Sequence, residues 1–145
     1  MGSSSCGTFS LAAQLIIMVE FFRSRLLSFR YALHGWWYVI RSQRNAWIHA
    51  IFSCAVLIMA LWLRLNAQEY AILILTITIV WTAEFLNTAL EAVVDLASPH
   101  HQPLAKVGKD VGAAAVLIAA LSSILIGLLI IGPPLWVKIK GFMGF

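Results

Sequence analysis

Four side chains, Glu84, Asn87, Glu91 and Asp95, interrupt or border a run that is otherwise apolar from Tyr70 to Val94 and long enough to cross a bilayer. On an ideal helix with Glu84 at zero, Asn87, Glu91 and Asp95 fall at about −60, −20 and +20 degrees, so all four share one face. An acid at such a depth costs roughly 2.5 to 3.5 kcal/mol on insertion scales and is kept where it serves a site or a pathway. Three uses are open. The stripe can hold helices together through hydrogen bonds, although one Asn would serve that end and repeated acids add nothing to it. It can conduct protons or cations, as in a small ion-conducting membrane subunit. It can also bind a divalent metal and a phosphate donor, with Glu91 and Asp95 meeting Lys106 and Lys109 from the next loop. Lysines at a cation entrance would oppose conduction, so the charges favour the third use. Neither a GxxxxGK[ST] loop nor the protein-kinase motif set is present.

Composition places this stripe in a membrane. Of the 145 residues 61% are hydrophobic and only 11% charged, and the mean hydropathy is +0.90. A water-soluble fold of this length exposes too much of its area to hide so apolar a chain. The net charge of +4 belongs with anionic lipid rather than nucleic acid, because no basic run has the polar, flexible surroundings of an RNA-binding segment. Cys6 and Cys54 stand too far apart, in a polar tail and an apolar run, to form a disulfide framework or a CxxC metal site.

The fold expected is an all-α membrane protein with three transmembrane helices and an N-terminal amphipathic surface helix. The spans read as about 46–64, 70–94 and 111–132, with Gly132-Pro133-Pro134 ending the last, since proline cannot supply the ladder hydrogen bond. From about 21 to 40, Phe22, Leu26, Phe29, Leu33, Trp36 and Ile40 recur at alternating steps of four and three, with Arg23, Arg30, His34 and Arg41 on another face. That is the pattern of a helix lying in the membrane interface. Residues 1–20 read as an N-terminal tail whose start, Met1–Cys6, is disordered, 21–134 as the functional domain and 135–145 as a C-terminal tail. Arg23, Arg25, Arg30, Arg41, Arg44, Lys106 and Lys109 flank one side of the spans, against Arg64, Lys138 and Lys140 on the other. The positive-inside bias then puts the N-terminus and the stripe's mouth in the cytoplasm.

The run Glu84-Phe-Leu-Asn87-Thr-Ala-Leu-Glu91-Ala-Val-Val-Asp95-Leu-Ala-Ser98-Pro99, followed by Pro103-Leu104-Ala105-Lys106 and Lys109-Asp110, resembles the prokaryotic diacylglycerol kinase and undecaprenol kinase family. The likeness covers about Tyr31 to Ile131, and its Leu-Ala-Ser-Pro and Pro-Leu-Ala-Lys stretches are closer to the undecaprenol branch. It implies an ATP- and Mg²⁺-dependent kinase of a membrane lipid alcohol, undecaprenol first and diacylglycerol second, in the bacterial cytoplasmic membrane. It also implies a homotrimer whose sites are shared between subunits. Glu84 would be the base that takes the proton from the lipid hydroxyl, and Asn87 would orient that hydroxyl or a phosphate oxygen. Glu91 would bind Mg²⁺ and Lys109 would offset charge on the phosphates. Asp95, Asp110 and Tyr31 match positions near the nucleotide, although Asp110 can equally be the N-cap of the third span. Gln43-Arg44-Asn45 stands where the family usually has Glu-Arg-Asn, so the implied metal position at Gln43 carries a neutral amide, a poorer partner for a hard cation.

The remaining features read as structural. His34, His49, His100 and His101 do not converge on the cysteines, so no zinc site is expected. The tryptophans read as interfacial or lipid-facing, with Trp37 and Tyr38 also placed to line the entry of a lipid headgroup. Ala115, Ala119, Ser123 and Gly127 repeat every four residues, as a close-packed helix face requires.

Overall fold

In lipid every backbone donor and acceptor needs a partner within the chain, so an apolar sequence of this kind resolves into helices. The computed structural model describes residues 5–98, 100 and 102–143. They form α1 (Ser5–Ser42), α2 (Arg44–Leu63), α3 (Ala67–Ala97) and α4 (Pro103–Met143). Pro99 and His101, both cited above for the sequence pattern, lie outside the described residues. The last three helices are long and apolar enough to cross a membrane.

The chain divides into two units, residues 1–41 and 42–145. The first is α1 alone. It contains the expected amphipathic helix but starts at Ser5, so the N-terminal tail is helical from there on. From Leu11 to Val19 that segment is apolar apart from Gln14 and free of proline, and nothing in it stops the helix from extending backwards. Ser24 and Ser28 return their hydroxyls to the carbonyls of Phe21 and Ser24, and the Arg25 guanidinium lies 5.0 Å from the centre of the Phe21 ring.

In the second unit Gln43, extended at φ −105° and ψ 119°, stands at the N-cap of α2 without a side-chain capping bond. With 20 residues, α2 measures about 30 Å, the hydrocarbon thickness. It closes at Arg64, left-handed at φ 58°, and Leu65 donates to the Ala60 carbonyl at 3.2 Å. Asn66 then opens α3 with a capping box. Its Oδ1 accepts from the backbone N–H of Gln68 and Glu69, while its own N–H donates to Glu69 Oε2 at 2.8 Å. Ala60, Leu73 and Ile131 form an apolar core beside this turn, with Val56, Met59, Tyr70 and Leu135 against it.

The helix α3 packs most extensively against α4 and also meets α2. Its hydroxyls are absorbed internally: Thr76, Thr78, Thr82 and Thr88 each donate to the carbonyl four residues back. The packed face of α4 is centred on Gly112, Val116 and Ile131. Ala119, Ser123 and Gly127 of the expected small-residue stripe are half-buried, but Ala115 is exposed.

Two expectations about α4 fail. It starts at Pro103 rather than near Val111, because a proline in the first turn forfeits an N–H that has no partner there and brings a φ already suited to the helix. Lys106 and Lys109 are therefore on the helix, not in a loop, and Asp110 lies two turns inside it and caps nothing. Nor do Pro133 and Pro134 end the helix, which runs on to Met143. Two missing donors cost less at membrane depth than the many backbone groups that unravelling would strand. Beyond the prolines, Lys138 Nζ donates to the Trp62 carbonyl at 2.6 Å and sits 4.0 Å from the centre of the Trp62 ring.

Candidate functional site

The start of α2, the second half of α3 and the start of α4 meet at the end of the unit opposite the capping box. Glu84 is the most deeply buried of the large side chains, at 1% exposure, and neither of its oxygens has a hydrogen-bond partner. One turn on, Asn87 donates from Nδ2 to Glu91 Oε1 at 3.1 Å, while its buried Oδ1 is also unpartnered. Gln43 donates from Nε2 to the other oxygen, Glu91 Oε2, at 3.0 Å. That commitment explains why the side chain at the N-cap of α2 does not cap it. Gln43 thus meets Glu91 as a donor to the carboxylate, not as an oxygen ligand beside it.

This arrangement depends on Gly112. A Cβ there would collide with Asn87 Oδ1 and come within 3.0 Å of Leu90 Cδ2, so α3 and α4 approach closely only because the position has no side chain. Further along the same face Asp95 is paired with Lys109. Both reach solvent, Asp95 at 65% side-chain exposure. The pair lines a cavity of about 710 Å³ between the end of α3 and the start of α4, together with Ser98, His100, Pro103 and Lys106. A cavity of that size accommodates a nucleotide, and its two lysines suit phosphate.

Glu84, Asn87, Glu91 and Gln43 therefore form one cluster, and Asp95 and Lys109 form a second, more exposed one. Of the expected meeting of Glu91 and Asp95 with Lys106 and Lys109, the Asp95–Lys109 pair is present, while Glu91 is held by the two amides. Asp110 is exposed. Tyr31 and Trp37 are on α1 and are exposed.

The sequence reading missed two participants, Gly112 and His49. His49 Nε2 lies 3.8 Å from Glu84 Oε2, is buried and has no partner. Its ring meets Trp81 edge-on at 6.4 Å, and Trp81 Nε1 donates to Ser53 Oγ at 3.3 Å. A signal existed. Ala46, His49, Ser53, Val56 and Ala60 recur at steps of three and four, a stripe of small and polar residues that faces a neighbouring helix.

The donor set bears on a metal. Among the described residues no three His, Cys, Asp or Glu side chains converge. Glu91 with the unpartnered Asn87 Oδ1 beside it nevertheless offers the hard oxygens that Mg²⁺ takes when phosphate and water complete its shell, so the residues fit such an ion.

A family model described as prokaryotic diacylglycerol kinase matches residues 30–131. An undecaprenol kinase from Bacillus subtilis is 44% identical over 108 residues, which cover 74% of this chain and 88% of that protein. A diacylglycerol kinase from Synechocystis is 45% identical over 111 residues, 76% of this chain and 63% of the relative's length. The diacylglycerol kinase of Escherichia coli K12 is 38% identical over 95 residues, 61% of this chain and 78% of that enzyme.

Proposed function

Because the chain belongs to the prokaryotic diacylglycerol kinase family and is a membrane lipid kinase, we propose that it moves the γ-phosphoryl group of ATP onto the hydroxyl of a membrane lipid, undecaprenol before diacylglycerol. The preference for undecaprenol rests on the relative from Bacillus subtilis, most of whose length this chain spans. One observation carries the reaction: a fully buried carboxylate, Glu84, has neither oxygen satisfied and stands one helical turn from an amide and carboxylate cluster. An unsatisfied acid in that setting is costly unless a ligand completes it.

Glu84 accepts the proton of the lipid hydroxyl as the alcohol oxygen attacks the γ-phosphorus, and ADP departs with the bridging oxygen. Asn87, one helical turn from Glu84, orients the hydroxyl or a phosphate oxygen through its amide N–H. Lys109 and Lys106 hold the nucleotide's phosphates in the cavity, with Asp95 fixing Lys109 until the nucleotide arrives. Glu91 and Asn87 Oδ1 would hold Mg²⁺, with Gln43 positioning the Glu91 carboxylate through its amide N–H. When bound, that ion neutralises charge on the phosphates. Asp110 belongs to the outer rim of the nucleotide site, and Tyr31 and Trp37, on α1, keep the nucleotide and lipid roles that the family resemblance implies for them.

The protein works as a homotrimer in the cytoplasmic membrane, with the 710 Å³ cavity on the cytoplasmic side. The basic residues that flank this end support the orientation, and the large apolar side chains left exposed along α2 and α4 supply surface for a neighbouring copy as well as for lipid. Transfer of labelled γ-phosphate to each lipid in mixed micelles tests the proposal. Glu84→Gln should lower turnover by about 10²-fold or more, and full turnover in that variant would remove Glu84 from the role of base.

A further inference from the structure

His49 lies 3.8 Å from Glu84, which is too long for a direct hydrogen bond and short enough for one oxygen atom to bond both partners at ~2.8 Å. Both atoms are buried, and each lacks any other partner. Their chemistry is complementary around a single hydroxyl. A carboxylate only accepts, a neutral imidazole N–H donates, and an alcohol has one O–H to give and lone pairs to offer. The side chains also stand at different depths. His49 retains 14% exposure where Glu84 has 1%, so His49 is the member of the pair nearer the surface. The imidazole does not swing freely, because Trp81 packs edge-on against it while holding Ser53 of the same helix α2.

We propose that His49 is a substrate-binding residue of this kinase, its Nε2–H donating to the oxygen of the acceptor lipid's hydroxyl while Glu84 Oε2 accepts that hydroxyl's hydrogen. The inference rests on Glu84 being the base. In the step itself the alcohol O–H bond breaks and its proton passes to Glu84. The new oxygen–phosphorus bond forms, and the bond from phosphorus to the bridging oxygen of ATP breaks. His49 keeps its own hydrogen throughout and stabilises the charge that gathers on the attacking oxygen. The recognised group is the hydroxyl that any membrane alcohol presents, so the contact is indifferent to the lipid's tail. His49 would therefore serve undecaprenol and diacylglycerol alike.

The test compares His49→Gln with His49→Met in the full-length protein in mixed micelles. The two side chains have nearly the same length and volume, and only Gln carries an N–H at the position of Nε2. The expected result is that His49→Met loses about 30-fold in kcat/KM for both lipids, while the KM for ATP stays within about twofold of wild type. His49→Gln should recover most of that loss. Equal activity of the two variants, whether both high or both low, would overturn the proposal, as would a loss that appears in the KM for ATP. Glu84→Gln run beside them separates the two ideas. An inactive Glu84→Gln with equal His49 variants removes His49 alone, whereas a fully active Glu84→Gln removes the base on which it depends.

Discussion

Adding one methyl group at Gly112 tests the site through its least conspicuous member. Glycine to alanine inside a helix ordinarily stabilises by about 1 kcal/mol, and at Gly127, where a Cβ meets open space, that gain should appear. At Gly112 the same methyl runs into Asn87 Oδ1 and crowds Leu90 Cδ2 at 3.0 Å. Overpacking of this kind costs about 1–3 kcal/mol, enough to cancel the helix gain or reverse it. Asn87 is the neighbour able to yield, and it yields by leaving Glu91, with the loss of a 3.1 Å charge-assisted bond worth about 1.5–3 kcal/mol. A shift of that size in the positioning of Asn87 and Glu91 corresponds to a fall of about 10- to 100-fold in kcat/KM. Phosphoryl transfer in mixed micelles measures the rate, and thermal unfolding in the same detergent measures stability. Placing Gly112→Ala on an Asn87→Ala background should cost little further, since the atom struck has been removed. Full activity of Gly112→Ala, or losses that simply add in the double variant, would refute the idea that the close approach of α4 sets the position of Asn87.

Gln43→Glu should lower the Mg²⁺ concentration for half-maximal activity severalfold, because it places a second carboxylate against Glu91 where an amide now donates; a titration of activity against Mg²⁺ measures it. Lys109→Ala should raise the KM for ATP by about tenfold or more while moving the unfolding temperature little, since its pairing with the exposed Asp95 adds at most about 1 kcal/mol to stability. Asn66→Ala removes the side chain of the capping box and should cost about 1 kcal/mol of stability with turnover unchanged, as read by thermal unfolding beside the transfer assay.

The acidic stripe was legible because an acid inside an apolar run is expensive and helical spacing shows which acids share a face. Glu84, Asn87 and Glu91 stand together as that spacing demands. His49 was not legible in the same way, since a single histidine in an apolar run has no register of its own, and only the stripe Ala46, His49, Ser53 shows which side of α2 it occupies. Gly112 gives no local sign either, because its meaning lies wholly in the approach of Asn87 from another helix. The ends of α4 were misjudged through proline. Pro103 was a start signal taken for loop, and Pro133-Pro134 was a stop signal that holds in water and fails in lipid, where unpaired backbone is dearer than two absent bonds. Residues 5–20 look featureless as sequence because they carry one charge, Glu20, and no amphipathic pattern, yet the absence of proline lets α1 run through them.

The two ends of residues 42–143 do different work. One end carries Glu84, Asn87, Glu91 and Lys109, and the other is closed by the Asn66 capping box, the left-handed Arg64, the Ala60, Leu73 and Ile131 core, and the Lys138 clasp on Trp62. Endurance and turnover are thus adjustable separately. Substitutions that tighten the far turn should lengthen the enzyme's lifetime in detergent without altering what it phosphorylates, which makes that turn the natural place to engineer a sturdier catalyst.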